Sequence, residues 1–479
     1  MKLLVVDVGT SGVRASVVAP DATVTASSHR EVLPSSPAPG LVEFDATEMA
    51  AAVLEVARAV LDQAGPVDAV GIANQRASTV VWDRATGEPV GPGLGWQDLR
   101  TVFDCLGFAG QGLRLAPNLL ATKAAHLLDA ADPDRTRDLC VGTVDSWVAW
   151  TLSEGALHVT DVTNAALYGL RTHDQLGWHA DALSLLRIPE ASLPTVVDSV
   201  GIVGPATALA GTPPIAGILG DQQASLLGQG CVDPGQAKIT FGTGGMLDVC
   251  LEERPTFATQ GTGGTFPIVT RSRDGVRRWG LEAIMLAAGT NVEWLRDDLG
   301  IIADAADSHA VAQQCESSEG VAYVPALLGL GTPAWDYGAR GALLGLTRGS
   351  GRPQIVRAVL EGVAQRAADL VAAAETDSGL QIGVLRVDGG MSANPTFVQA
   401  LADATGRAVE VSPEREATTL GAAFAAGLAI GVWPDDAAIG ATWRPLDVVE
   451  PVGSFDRERW ADTLERAERW FPDLSAIAF

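Results

Sequence analysis

Lysine is almost missing from this chain: Lys2, Lys123 and Lys238 are the only three in 479 residues. No G-x-x-x-x-G-K-[ST] phosphate loop occurs, so a nucleotide site here must depend on backbone N–H groups, hydroxyls and Mg²⁺. Arginine carries nearly all the positive charge, and the bias reads as compositional. With 33 Lys plus Arg against 58 Asp plus Glu, the formal net charge of -25 excludes a nucleic-acid partner, which needs clustered cations. Cysteine is scarce too. Cys105, Cys140, Cys231, Cys250 and Cys315 are odd in number and widely spaced, so a reduced, cytoplasmic protein without zinc or disulfide framework is expected. The six histidines show no metal-ligand spacing, and His158 and His173 are read as surface or packing residues. There is no G-x-S-x-G elbow and no Cys–His arrangement for covalent catalysis. The apolar stretch Gly421 to Gly431 is too short and glycine-rich to cross a bilayer, and the N-terminus begins as a strand, so neither membrane insertion nor a signal peptide is expected.

What is present fits a large globular protein. Hydrophobic residues make up 47% and charged residues 19%, and the length predicts two large domains. One theme recurs three times: a buried strand, then glycine beside a polar residue, then a new element. It appears as Leu3 to Val6 before Gly9-Thr10-Ser11-Gly12, as Ala237 to Phe241 before Gly242-Thr243-Gly244-Gly245, and as Val384 to Asp388 before Gly389-Gly390. A related strand, Ile215 to Leu219, runs into Gly220-Asp221-Gln222-Gln223, with a helix expected from Ala224. A helix is expected over Met49 to Gln63, capped by Asp45 or Thr47. The C-terminal stretch Pro451 to Phe479 predicts a helix whose Trp460, Leu464 and Trp470 form an apolar stripe. The domains are read as 1–248, 249–440 and a helical extension 441–479.

The turns carry the candidate chemistry. Around Gly9, glycine exposes backbone N–H groups, Thr10 and Ser11 offer hydroxyls to phosphate, Arg14 offers a guanidinium fork, and Asp7 could hold Mg²⁺ through water. A plain hairpin turn accounts for the first of these features equally well. Asp221 is the strongest catalytic candidate: a strand delivers one carboxylate to its tip beside two amides, as a base for a hydroxyl requires. An N-cap on the following helix is the competing reading. Asn74-Gln75-Arg76, with two amides and a guanidinium at a strand end, has the character of a site for a polyhydroxylated ligand. Trp96 could pack the C–H face of a sugar or sit in the core. The glycine turn near Gly9 feeds a strand, which argues against a dinucleotide fold.

Taken together, these segments closely resemble the FGGY carbohydrate kinases, and within that family the glycerol kinases. The resemblance rests on Asp7-Val-Gly-Thr-Ser-Gly-Val-Arg14, Asn74-Gln-Arg76, Gly142-Thr-Val-Asp-Ser-Trp147, Thr160-Asp-Val-Thr-Asn164, Gly217 to Gln223, Phe241-Gly-Thr-Gly244, Ala339 to Arg348, Arg386-Val-Asp-Gly-Gly390 and Thr419-Leu-Gly-Ala-Ala423. It covers Leu3 to about Trp433. It implies an α/β, two-domain actin/hexokinase-like ATPase fold of ribonuclease H-like domains, closing on ATP, Mg²⁺ and a small polyol or sugar, and a homodimer. By resemblance Asp221 is the general base. Thr10, Ser11, Arg14, Gly242, Thr243, Gly289, Glu293, Gly390 and Asn394 are nucleotide or phosphate positions, and Asp7 faces the Mg²⁺. Arg76, Ala77, Trp96, Asn118, Asp221 and Gln222 are acceptor positions.

Two of those acceptor positions depart from the glycerol kinase pattern. Ala77 stands where that pattern has glutamate, and Asn118 where it has tyrosine. Losing a carboxylate and a phenol predicts a different or larger acceptor, such as a four- or five-carbon polyol or ketose. A xylulokinase-like ketose kinase and glycerol kinase itself are the alternatives within the family. An actin-type chaperone or filament protein would lack use for the Arg76 and Asp221 groups, and a dehydrogenase is least compatible.

Overall fold

In the computed structural model, which describes residues 1–413 and 417–477, a single sheet of thirteen strands runs through the molecule. Its two ends repeat one arrangement. In the N-terminal half the spatial order is Val24–Glu31, Gly12–Val18, Leu3–Val8, Ala69–Asn74, Pro214–Gly220; in the C-terminal half it is Val276–Met285, Gly245–Leu251, Ala237–Phe241, Val384–Asp388, Ala408–Val411. Each half is thus three antiparallel strands followed by two parallel ones. The central strand Leu3–Val8 is a nearly continuous hydrophobic run, as a strand covered on both faces must be, while Ala237–Phe241 alternates apolar residues with Lys238 and Thr240.

The halves meet at two places. Strands Val200–Pro205 and Phe266–Arg273 pair only through Val200 and Arg273, a weak seam in an otherwise continuous sheet. Beside it, helix Ala417–Ile430 leaves the C-terminal half and packs on helix Asp221–Gly228 and on the N-terminal sheet, sharing a core of Val5, Ala73, Leu219, Ala423 and Phe424. Two glycines make this crossing possible. A Cβ on Gly228 would lie 1.9 Å from the Ala417 carbonyl, and one on Gly421 would lie 1.8 Å from that of Ala224. Any side chain at either position forces the helices apart.

Local expectations hold in most places. The helix beginning at Ala46 extends to Ala64 and is capped by Asp45, whose carboxylate accepts from Thr47 N and Glu48 N. Two expectations are corrected. The helix expected from Ala224 begins at Asp221, because Gly220 is its cap. The C-terminal segment forms a helix over Arg457–Glu465 that buries Trp460, but the chain turns before Trp470, which is 65% exposed and shares no stripe with it.

Candidate active site

Three parallel strands end abreast in the N-terminal half: Val8 pairs with Asn74, and Asn74 with Gly220. Their next residues, Gly9, Gln75 and Asp221, therefore lie side by side at the carboxyl ends of the strands, where α/β sheets bind ligands. In the C-terminal half Thr240 pairs with Asp388, which brings the Gly242 and Gly389 turns together.

Asp221 is the first residue of its helix. Its Oδ1 accepts from Gln222 N at 2.8 Å and lies 3.4 Å from Arg76 Nε, with the side chain 32% exposed. Gly220, not Asp221, is the N-cap, and the carboxylate takes the first-turn N–H of Gln222 through Oδ1. Burial pushes its pKa above the usual carboxylate value, against the pull of Arg76 and the Gln222 N–H. That direction suits a base that must take a proton from a hydroxyl.

Arg76 is held between Asp221 and Glu282, whose Oε2 lies 2.6 Å from Arg76 Nη2. Burial works against its charge, but Glu282, Asp221 and Asp248 outweigh it and hold the guanidinium above its ordinary value. Glu282 is pushed up to about 7 by burial, in spite of Arg76. Arg76 Nη1 is buried without a hydrogen-bond partner among the described residues, a donor left over for a ligand oxygen. Gln222 is fixed from below: Lys238 Nζ donates to its Oε1 at 2.6 Å, and also meets Thr240 Oγ1 at 2.9 Å and Asp248 Oδ2 at 2.8 Å. With its oxygen held, Gln222 turns its amide N–H groups outward as donors.

A ring of hydrogen bonds joins the first glycine turn to the acceptor wall. Gln75 Nε2 donates to Gly9 O at 3.1 Å, Ser78 Oγ to Gln75 Oε1 at 3.0 Å, Trp96 N to Ser78 Oγ at 3.0 Å, and Trp96 Nε1 to Thr10 Oγ1 at 3.2 Å. Ala77 sits inside this ring at φ 61°, with Ser78 N donating to Arg76 O at 2.8 Å. This is a γ-turn of the rare positive-φ kind, a local strain of the sort that accumulates at functional sites. Lys123, fully buried, donates to Gly95 O and to Asn118 O, and so ties the Trp96 loop to exposed Asn118.

On the other side Gly242 and Thr243 are exposed, and their carbonyls accept from Gly289 N at 2.9 Å and Ala288 N at 2.8 Å. This pins the turn to the start of helix Gly289–Asp297, on which Glu293 is exposed one turn further along. Gly389, at φ 85°, backs onto this turn so closely that a Cβ would meet Phe241 O at 2.4 Å, while Gly390 beside it opens to free space. Asn394 caps helix Pro395–Thr405 through Phe397 N at 3.2 Å and donates to Ser308 Oγ at 2.9 Å. Asp7 and Arg14 are register partners on the first two strands, and Ser11 is exposed at the turn between them. Among the described residues no group of three or more His, Cys, Asp or Glu could hold a metal.

The reading of Asn74 and Gln75 as ligand-facing amides is corrected. Asn74 exchanges hydrogen bonds with Asn164 and is fully buried, and Gln75 belongs to the ring just described, so of the three only Arg76 is left for the ligand. The sequence analysis does not assign Lys238, Asp248 or Glu282 to the site. The signal was the lysine scarcity: two of the three lysines, Lys123 and Lys238, are buried in the walls of this site.

Comparison with known proteins bears on the family and the fold. Residues 2–228 match the FGGY family of carbohydrate kinases, N-terminal domain, and residues 237–430 its C-terminal domain. The chain is 43% identical to glycerol kinase from Aromatoleum aromaticum, over 98% of this chain and 99% of that one, and 40% identical to glycerol kinase from Rhodopirellula baltica, over 98% and 91%. In structure it resembles Plasmodium falciparum glycerol kinase with ADP, at TM-score 0.89 and 26% identity, covering 100% and 99% of the two chains. A ligand-bound xylulose kinase from Lactobacillus acidophilus shares the fold at TM-score 0.83 and 21% identity, covering 99% and 96%. Matches of both halves to the family's two domains, and full-length relatives at about 40% identity, place this chain in the FGGY family of carbohydrate kinases, as an ATP-dependent phosphotransferase acting on a hydroxyl of a small polyol or sugar.

Proposed function

We propose that Asp221 is the base of this reaction and that the acceptor is longer than glycerol, a four- or five-carbon polyol or ketose. The observation that carries the first part is the position of Asp221: at a strand tip, partly open, held beside Arg76 and level with the Gly9 turn. Asp221 takes the proton of the attacking hydroxyl, while Arg76 Nη1 and the Gln222 amide orient the neighbouring hydroxyls. The indole of Trp96 forms an apolar wall. Ala77 supports the second part, because a buried methyl occupies a position where the glycerol kinase pattern has a carboxylate. Asn118 adds to it, with an exposed amide in place of a phenol.

The nucleotide side follows from the turns. Backbone N–H groups around Thr10, Ser11, Gly242, Thr243 and Gly390 are placed to receive phosphate oxygens, with Gly289 and Glu293 flanking them. Arg14 and Asp7 lie beneath the first turn, Asp7 as the carboxylate toward the cation. Mg²⁺, when bound with ATP, neutralises charge on the phosphates. Asn394 joins this set only if it gives up part of its helix cap. Closure of the two halves excludes water from the transfer and limits ATP hydrolysis. A cytoplasmic homodimer belongs to the same proposal and rests on the family resemblance; sedimentation tests the dimer.

The acceptor is tested by ATP consumption against C3 to C6 polyols and ketoses, with phosphorylated product detected. The expected outcome is a higher kcat/KM for a C4 or C5 acceptor than for glycerol. Glycerol equal to or better than every longer polyol and ketose overturns the acceptor proposal and leaves the assignment of Asp221 standing.

A further inference from the structure

A groove of about 640 Å³ is lined by residues on both sides of the seam where the two halves of the sheet meet. Its walls come from both sides. Val162, Arg171, Trp178 and Val197 belong to the part matched by the N-terminal family domain, and Arg277 to strand Val276–Met285 of the C-terminal one. The seam below is stitched by Ser199 N to Ser272 Oγ and Ser272 N to Ser199 Oγ, both at 3.2 Å.

Two guanidiniums converge here, with Asp174 the carboxylate whose charge reaches both. Arg171 Nη2 and Arg277 Nη2 both donate to one acceptor, the carbonyl of Gln175, the second at 3.2 Å. Gln175 presents that oxygen from a left-handed backbone conformation, φ 61°, in the turn between Arg171 and Trp178. Arg277 Nε is buried with no partner, and among the described residues neither arginine forms an ion pair. Two carboxylates, Asp198 and Glu190, also line the groove. Asp174 accepts from Thr172 Oγ1 and Leu176 N, Asp198 accepts from Gly275 N at 2.9 Å, and Glu190 is exposed. Arg171 also lies over the Trp178 ring at 4.6 Å, which leaves its edge free to donate. Burial and the neighbouring Arg277 lower the Arg171 pKa to about 10, so the two like charges oppose each other as they stand. One neutral carbonyl is a poor acceptor for two forks; a dianion with several oxygens would satisfy both and the orphaned Nε as well.

We infer that this groove is a binding site for the dianionic phosphate of a small phosphate monoester, gripped by Arg171 from one half of the molecule and Arg277 from the other. The groove is large enough for a sugar-sized body beyond the phosphate, and Trp178 offers it a flat wall. Because each half supplies one guanidinium, an anion bound there bridges the domains across their single pair of sheet partners, Val200 and Arg273. Helix Val162–Ala165 continues from the groove wall toward the reaction centre, where Thr163 Oγ1 accepts from Gly220 N at 2.9 Å, next to Asp221.

The test is isothermal titration of the full-length protein with glucose 6-phosphate and, separately, with inorganic phosphate. Binding of one equivalent to the wild type is expected, weaker for inorganic phosphate, and declining as salt is raised. Arg171→Ala and Arg277→Ala should each weaken it about tenfold or more, since each removes charge-assisted donors. Arg76→Ala, which alters the acceptor site instead, should leave it unchanged. Arg277 lies at the groove rim, so Arg277→Ala remains informative if Arg171→Ala fails to fold. Absence of binding at millimolar ligand, equal binding by the wild type and Arg277→Ala, or loss of binding in Arg76→Ala overturns the assignment.

Discussion

The two halves of the sheet share one strand order yet give the cleft different kinds of group. The N-terminal half presents side chains that can react with or orient a hydroxyl: Asp221, Arg76, Gln222 and Trp96, all at or just beyond strand ends. The C-terminal half presents mainly backbone, in the Gly242 and Gly389 turns, and keeps its charges underneath. Lys238, Asp248 and Glu282 sit on strands below the surface, and Asp388 accepts from Ser225 of the helix that begins with Asp221. Under the proposed function, the repeated scaffold divides its labour: one copy selects the acceptor through side chains, and the other takes the triphosphate through main-chain N–H groups. Its buried Glu282 and Lys238 hold Arg76 and Gln222, the neighbours of the first copy's carboxylate.

That division breaks most visibly at Asp221. Asp221→Asn removes the base and keeps the shape, so kcat should fall by about 10²- to 10⁴-fold while the fold and the affinity for a non-hydrolysable ATP analogue are retained. Single-turnover kinetics with analogue titration is the check. Retained turnover would move the base elsewhere, and lost analogue binding would show that the two halves do not divide the work as argued.

The buried floor is the next place to press. Lys238 and Asp248 are both fully buried and 2.8 Å apart. Lys238→Met leaves Asp248 uncompensated and should destabilise the protein by about 3–5 kcal/mol. Replacing both, as Lys238→Met with Asp248→Leu, should recover most of that stability. It should not recover activity, because Gln222 loses the donor that fixes its oxygen. Urea unfolding beside acceptor KM measures both. If the double variant regains its acceptor KM along with its stability, the pair is structural only and the positioning role of Lys238 is wrong.

The same contrast explains how much was legible beforehand. The strand–glycine turns were visible because β-branched runs and glycine are local signals, and Asp221 because it follows directly on such a strand. The floor was invisible for the opposite reason. Lys238, Asp248 and Glu282 are spread along three strands and gain meaning only when the strands are laid side by side, Lys238 opposite Asp248 and Asp248 opposite Glu282 in register. Asn74 and Gln75 misled because residue type says nothing about direction: both point into the protein, where buried amides find partners as readily as ligand-facing ones do. Trp470 was misplaced because a helical stripe was assumed to continue past the end of its helix.

Lys123 offers the finest probe, since it braces the acceptor wall through hydrogen bonds rather than touching the reaction. Burial lowers its pKa from 10.5 to about 7, with Asp98 pulling the other way. Between those two values the folded chain holds fewer protons at this site than the unfolded chain does. The unfolded state binds the extra proton, so its advantage shrinks as pH rises, and this residue's contribution to stability grows with pH through that window. Glu282 acts in the reverse sense, but its folded value of about 7 confines its effect to lower pH. Comparing wild type with Lys123→Met between about pH 7 and about pH 8.5 therefore isolates the lysine. The wild type should gain about 1 kcal/mol per pH unit relative to the variant, close to the limit for one titrating group. Parallel curves would mean that Lys123 stays charged in the fold, its ammonium satisfied by the carbonyls of Gly95 and Asn118 alone.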